Sequence, residues 1–250
     1  SQLQKETNNI IAFYSRDNLT QSEMYRHPAA LPQYYGTFEQ IDNAPRVEIR
    51  YTLTPKYNRH FIPAFIPPGE IVTLEIPESM QGKLTIIFNQ NFNTIPDQNG
   101  KPQMDTRLPQ MQFSVTLTQK VNTIGSPYGG NLCFSYNGDE PVEINITNVV
   151  LQPYFVYGQT SDEEWINDIS KWPGPYAWFD TGNMIHVVPS YIVRDVTRIS
   201  DCMKWWRSAY QISQTTAKDP YNPRNARVTD ILEMFYEQFI FMGGAVAVVG

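Results

Sequence analysis

The sequence predicts a mainly β protein: a two-sheet β-sandwich followed by a smaller mixed α/β segment. Three observations predict it. Between residues 46 and 157, apolar and polar residues alternate in short runs, the period of half-buried strands. Those runs are separated by Pro, Gly and Asn, which punctuate strands rather than helices, and the chain holds 19 prolines. After residue 158 the spacing changes and a helix-start signal appears.

The pattern is organised around Ile66-Pro67-Pro68-Gly69-Glu70-Ile71-Val72-Thr73-Leu74-Glu75-Ile76-Pro77. Proline presets φ for a turn, and Gly69 takes φ > 0 without steric cost, so 67–69 reads as a stiff corner. Ile71 to Ile76 is then a strand with Val72, Leu74 and Ile76 inward, and Pro77 stops it because it has no N–H for a ladder. Val47–Leu53, Lys83–Phe88, Gln112–Leu117, Asn131–Tyr136, Val142–Ile146 and Val149–Val156 read as further strands. Asn137-Gly138-Asp139 reads as the turn of a hairpin. The core expected from this alternation is Val72, Leu74, Ile76, Ile86, Phe88, Phe113, Val115, Leu132, Phe134, Ile144 and Ile146.

Three segments result: 1–45, 46–157 and 158–250. Residues 1–45 read as an extended Pro/Tyr-rich arm that packs by its aromatics, with Ile10–Tyr14 its one sizeable apolar run. In 158–250, Ser161 followed by Asp162, Glu163 and Glu164 is a capped helix start with acids suited to the helix dipole. Trp165, Ile166 and Ile169 form that helix's inner face, with Trp165 against the end of the sandwich, and Pro173-Gly174-Pro175 ends it. Ala177–Phe179 and Met184–Pro189 read as strands. Asp195–Gln214 reads as a helix with Ile199, Cys202, Met203, Trp206 and Tyr210 inward, and 215–227 as a polar loop. Residues 228–250 fit either strand–turn–strand or helix then strand.

Charge and motifs exclude several classes of function. A net charge of −6, a pI near 5.1 and no basic run argue against nucleic acid as a partner. Two cysteines, Cys133 and Cys202, make no disulfide framework. No apolar signal-peptide core follows Ser1, and the apolar stretch 239–250 is too short to span a membrane. The sequons Asn18-Leu19-Thr20 and Asn145-Ile146-Thr147 leave an extracellular or cell-surface location open. The three histidines are His27, His60 and His186. His27 and His60 lie in loop-like sequence, and His186 reads as packed or edge-facing in a strand. A zinc peptidase needs two imidazoles one helical turn apart and a glutamate to activate water, and HExxH is absent. G-x-S-x-G, a P-loop and a dinucleotide glycine motif are absent too. No catalytic residue and no metal ligand is therefore assigned. Gly129-Gly130 reads as a bulge or hairpin turn. Among the many rings, Tyr128, Trp172, Tyr176 and Trp178 are the candidate contacts for a protein partner or a glycan.

The order of motifs resembles the enhancin-like domain of the mucin-targeting zinc metallopeptidases, a family that includes the non-peptidase TRP-channel-associated factors. The landmarks are Phe65–Pro77, then Tyr128-Gly129-Gly130-Asn131-Leu132, Pro153–Thr160 and Glu163-Glu164-Trp165, and last Pro175–Phe179 and Met184–Ser190. The resemblance covers residues 46–214 and corresponds to the N-terminal half of the domain. It implies a β-sandwich and its link into a catalytic-type subdomain missing from this chain. The family's next landmark resembles D-x-Q-I-S-x-G-x-M-H-x-G-Y-P, and here Met242-Gly243-Gly244 stands where its Met-His would be. The resemblance implies a non-catalytic module that binds a protein or glycoprotein partner, either by itself or as a subunit of a larger assembly. The alternative is the N-terminal fragment of an active zinc metallopeptidase acting on mucin-like glycoproteins. On either reading this chain carries no cofactor, and zinc enters only if a C-terminal continuation supplies the motif.

Overall fold

A computed structural model describes residues 2–28, 30, 41–55, 59–89, 112–182, 184–216 and 228–231. Its contacts divide the chain into Ser1–Val150 and Leu151–Gly250. Asn89–Leu108, whose polar composition reads as a loop, lies outside the described residues beyond Asn89, as do 217–227 and, of the segment 228–250, residues 232–250.

The N-terminal unit is built from β1 (Val47–Leu53), β2 (Arg59–Ile66), β3 (Ile71–Glu75), β4 (Leu84–Phe88), β5 (Phe113–Leu117), β6 (Val121–Gly125), β7 (Gly130–Ser135) and β8 (Val142–Leu151). The hydrogen-bonded order is β5-β4-β7-β2-β8-β3-β6, with β1 on β8. The two expected sheets are thus two halves of one antiparallel path, β5-β4-β7-β2 and β1-β8-β3-β6, joined where β2 meets β8. Inward side chains from every one of these strands form a single core. All eleven expected core residues belong to it, each at most 6% exposed. Alternation explains the result: a paired strand turns every second side chain to the shared interior.

The proline corner forms as the sequence predicts. Glu70 N donates to the Pro67 carbonyl at 3.2 Å, and Gly69 has φ +80° at the third position of the turn. Arg46 clamps the same corner by a two-pronged pair to Glu70, with Nε–Oε2 at 2.8 Å.

Several expectations need correction. Residues 2–14 are not extended: α1 (Gln2–Tyr14) is a helix. The stretch has no Pro or Gly, and Thr7, Ile10, Ile11 and Tyr14 fall on one helical face. Thr7 and Tyr14 are buried, and Ile10 and Ile11 pack on the core. The Asn137-Gly138-Asp139 turn does not make a hairpin, because β2 lies between β7 and β8. Tyr136 closes that loop instead, its hydroxyl donating to the Glu140 carbonyl and its ring lying against Gly138. His60 is not in a loop but on β2, 2% exposed. The strand expected over 149–156 is two. β8 ends at Leu151, and β9 (Tyr154–Val156) begins after Pro153, which lacks the N–H that would continue a ladder.

The C-terminal unit carries a four-stranded mixed sheet in the order β12-β11-β10-β9, with β10 (Tyr176–Asp180), β11 (Met184–Pro189) and β12 (Val228–Ile231). β10 and β11 are antiparallel, while the two outer pairings are parallel. Among the described residues, three α-helices accompany the sheet: α2 (Asp162–Asn167), α3 (Ser190–Val193) and α4 (Ile199–Thr216). Phe155, Ala177 and Phe179 from one sheet face join Trp165, Val193, Ile199, Cys202 and Met203 in this unit's own core.

Candidate functional site

Serine 161 starts α2 as expected. Its hydroxyl accepts from Glu164 N at 3.1 Å while Glu164 Oε2 accepts from Ser161 N at 2.7 Å, a reciprocal cap. These donors hold the Glu164 carboxyl below its usual range, the Ser161 backbone N–H contributing most. Trp165, one turn on, is fully buried. Its indole N–H donates to the Val196 carbonyl at 3.0 Å, and its ring meets Phe179 and Phe155 at centroid distances of 5.2 and 6.3 Å. The partners of Trp165 are therefore the C-terminal unit's own residues. Ile166 is 40% exposed rather than inward, since the next residue on a helix is rotated by a little over a quarter turn. Asp162 reaches Ser200 N at 2.8 Å and also takes the Ser200 hydroxyl, tying α2 to the first turn of α4.

The sheet presents two chemically different faces. Register places Phe179 opposite His186 and Ala177 opposite Val188, so these four share the helix-covered face. There the His186 ring is 1% exposed and 4.5 Å from the Trp206 ring. Neither ring nitrogen has a hydrogen-bond partner among the described residues. Burial pushes its pKa down to about 4, so it is neutral near pH 7. Burial also raises the Cys202 thiol, against a smaller opposing pull from a hydrogen bond with Trp206. The other face carries Tyr176, Trp178 and Asp180. Tyr154 OH donates to Asp180 Oδ2 at 2.9 Å, and the Tyr154 and Trp178 rings meet edge-on at 6.0 Å.

The four rings expected as contacts are not brought together as one set. Tyr128 belongs to the N-terminal unit and is 2% exposed, and burial raises its hydroxyl to about 12. Tyr176 and Trp178 share a strand face but are 3% and 1% exposed. Trp172 is half-buried, its indole N–H donating to Asp168 Oδ1 at 3.1 Å. Among the described residues of the C-terminal unit, the exposed large rings are Trp205, 48% exposed, and Tyr191, 67% exposed. A signal for Trp205 was present in the Trp205-Trp206 doublet, since a helix that turns one ring inward turns its neighbour out. Tyr191 had no comparable signal.

Among the described residues the donor sets do not fit a zinc centre. Among the described residues no group of three His, Cys, Asp or Glu lies close enough to hold a metal ion. His27, His60 and His186 sit on a loop, on β2 and on β11. Among the described residues, too, no helix is long and apolar enough to cross a membrane.

Residues 42–147 match the model of the N-terminal domain of M60-like peptidases, and residues 148–250 match the model of peptidase M60, enhancin and enhancin-like proteins. A TRPM8 channel-associated factor homolog from Danio rerio is 24% identical over 176 residues, 69% of this chain and 19% of that protein. Antigenic protein P1 of Entamoeba histolytica is 26% identical over 240 residues, 88% of this chain and 21% of that protein. The chain thus spans about a fifth of the length of these relatives. Among solved structures, the catalytic module of the metalloprotease ZmpA from Clostridium perfringens superposes with a TM-score of 0.53 at 13% identity, covering 73% of this chain and 44% of that one. The IMPa metallopeptidase from Pseudomonas aeruginosa gives 0.52 at 19% identity, covering 72% and 21%. The boundary between the two units, at 150/151, lies close to the 147/148 boundary between the two matched models, and the chain belongs to the enhancin-like, M60-like peptidase family.

Proposed function

We propose that this chain acts as a binding module of the M60-like family, holding a protein or glycoprotein partner without cutting it. The observation that carries this reading is the exposure of Trp205 and Tyr191 in a unit whose other large rings, among the described residues, are wholly or partly buried. Exposed Trp and Tyr supply large, rigid contact area that stacks on sugar rings or fills a partner's pocket. Trp172 is a third, partly open ring, whereas Tyr128, Tyr176 and Trp178 would need local opening to touch a partner. Relatives named for association with a channel support a protein partner, and such a module also suits a subunit of a larger assembly.

The test uses immobilised mucin-type O-glycopeptide and its deglycosylated form as probes. Trp205→Ala and Tyr191→Ala together are expected to reduce binding at least tenfold while leaving the melting temperature within a degree or two. Equal binding by wild type and double variant would sink the assignment of these rings.

The second reading, a front portion of a zinc metallopeptidase acting on glycoproteins, is favoured by the match of residues 148–250 to the peptidase model. Zinc content and cleavage of the same O-glycopeptide by the complete native polypeptide separate the two. Stoichiometric zinc with cleavage supports the second reading. Binding without cleavage supports the first.

A further inference from the structure

We propose that Asn18 is the acceptor for an N-linked glycan on this chain and that the second sequon, at Asn145, is not. Both triplets have the Asn-x-Thr pattern with no proline in the middle. The fold treats them in opposite ways. Asn18 stands just after α1. The next residue, Leu19, is pinned: its N–H donates to the Thr123 carbonyl at 3.0 Å, its carbonyl accepts from Thr123 Oγ1 at 2.7 Å, and its side chain is 2% exposed in the core. Asn18 and Thr20, on either side of it, are exposed, and so are Ser15, Arg16, Gln21 and Ser22. Asn18 has φ +62°, a left-handed conformation that asparagine accepts more readily than most residues. Its side-chain amide makes no hydrogen bond among the described residues. A sugar on Nδ2 therefore displaces no bond and projects into water, as a bulky polar modification must. The acceptor also precedes the span matched to the family's N-terminal domain, which starts at 42.

Asn145 lies inside β8, with a strand paired on each side. Register sets it in one row with Arg50 of β1 and Glu75 of β3. Paired strands stand only about 5 Å apart. Asn145 Nδ2 donates to Glu48 Oε1 at 3.0 Å, and its Oδ1 is buried. A sugar on that nitrogen replaces one of its two N–H groups, crowds the bond to Glu48 and has to rise between the side chains of the flanking strands.

The transfer takes its sugar from a lipid-linked oligosaccharide through a membrane-bound transferase. A bond forms between the anomeric carbon and Asn Nδ2. The bond from that carbon to the lipid pyrophosphate breaks, the lipid pyrophosphate leaves, and Nδ2 gives up one proton. The sequon contributes its Thr hydroxyl to recognition. In the folded chain Thr20 is already engaged: its hydroxyl donates to Glu23 Oε2 at 2.8 Å and its N–H to the same oxygen at 2.7 Å. Transfer therefore precedes closure of this turn, and folding then selects among the modified chains. A sugar at Asn18 is compatible with the finished fold, and a sugar at Asn145 is not. A glycan at Asn18 also implies passage through a compartment that holds the lipid-linked donor.

The experiment expresses the full chain in eukaryotic cells behind a secretory leader. Secreted and cell-retained protein are each treated with peptide N-glycosidase in heavy-oxygen water, which turns every glycosylated Asn into a labelled Asp, and the peptides are read by mass spectrometry. In the secreted protein the label is expected at Asn18 and not at Asn145. Any label at Asn145 is expected in the retained fraction alone. Asn18→Gly, which suits the positive φ, should remove one glycan from the intact mass of the secreted protein. Thr147→Val, which removes the second sequon and leaves Asn145 in place, should not change the glycan mass. If either variant is not secreted, the labelling of the wild-type chain decides alone. An unlabelled Asn18 in the secreted protein overturns the proposal, and so does a labelled Asn145 there. Retention of the whole wild-type chain overturns it too, because a glycan at Asn18 would then be incompatible with folding.

Discussion

The two units solve the burial of polar groups differently. In the N-terminal unit, fully buried polar side chains bond backbone at turns and strand ends, locally for Asn122 and Ser126 and across the sheet for Asn89. Asn122 exchanges bonds with Gln119, and Ser126 Oγ accepts from Tyr128 N. Asn89, at φ +50°, ends β4 by bonding Gly129 and Asn131. In the C-terminal unit polar side chains tie short helices and strands to one another: Asp162 to Ser200, Trp165 to Val196, Tyr154 to Asp180, and Arg194 to the Ser170 carbonyl at 2.9 Å. A sandwich has enough facing apolar area to define its own register. A small sheet with short helices lacks that area and uses directional bonds to fix where each helix sits. If so, single polar changes should matter more in the C-terminal unit, and backbone changes at corners should matter more in the N-terminal one.

The largest effect is expected at Trp165. Trp165→Ala removes a fully buried ring and leaves the Val196 carbonyl without its indole donor. The loss should be about 3–5 kcal/mol. All five tryptophans lie at or beyond residue 165, so their fluorescence reports on the C-terminal unit alone. Urea unfolding followed by fluorescence should show the loss, and a variant as stable as wild type would mean that the ring is not the keystone of that core.

His186 comes next, through pH. Its folded pKa is depressed to about 4 from 6.5, so between these values the unfolded chain binds the proton and the native chain does not. Stability should therefore be complete above about pH 6.5 and fall as the pH drops toward 4, by on the order of 3 kcal/mol in total. Carboxylates titrate in the lower part of this window, so the informative quantity is the difference from His186→Leu. That difference should shrink steadily as pH falls, and a difference that is flat with pH would show that the imidazole gains a partner on protonation.

These two residues also mark how far the sequence could be read. The period-two runs gave β1, β3, β4, β5, β7 and the start of β8 because each has one face on the core. β2 escaped because nearly every residue from His60 to Ile66 is buried, leaving no alternation, and because Pro63 suggests a break. The register shifts between Phe61 and Phe65, around Pro63, as a bulge allows. β6 escaped because its pattern is inverted: Val121 is exposed and Asn122 is buried, which leaves Ile124 as its one inward apolar side chain. The capped start of α2 was legible because a cap is a local motif. The bonds that seat Trp165 and Asp162 were not, since they link residues about thirty or more positions apart, and no local period encodes such a pairing. The ring contacts suffered most. Composition counts aromatic residues but does not say which side of a strand or helix each one takes.

At the corners the comparison turns on backbone. Gly69 and Gly82 both have positive φ, +80° and +72°. Gly69→Ala adds a Cβ 2.7 Å from Arg26 N and 2.8 Å from the Tyr25 carbonyl carbon, both backbone atoms, whereas a Cβ on Gly82 meets nothing within 4 Å. Gly82→Ala should cost about 1–2 kcal/mol from the left-handed conformation alone. Gly69→Ala should cost more, about 2–3 kcal/mol, because strain and a close backbone approach add. Thermal melts followed by circular dichroism separate the pair. Equal costs would mean that the backbone at Tyr25 and Arg26 gives way without loss.

The smallest effects are expected at the start of α2, where neighbouring residues differ in kind. Ser161 is part of the fold's wiring: its hydroxyl caps Glu164 N, and α2 in turn carries both Trp165 and Asp162 to their distant partners. Ser161→Ala should cost about 1 kcal/mol, the usual loss when an N-cap hydroxyl is removed. Glu163 is exposed on the same turn and contributes only through the helix dipole, which water and salt screen. Glu163→Ala should stay within about 0.5 kcal/mol of wild type. Because α2 has only six residues, it has little helical stability of its own, and the cap acts by holding the turn in place for the long-range bonds. The double variant Ser161→Ala with Trp165→Phe tests this coupling. If the cap serves the indole bond to Val196, the two losses should fall short of additive, since the second change removes what the first supports. Additive losses would show that the cap and the indole stabilise the C-terminal unit independently.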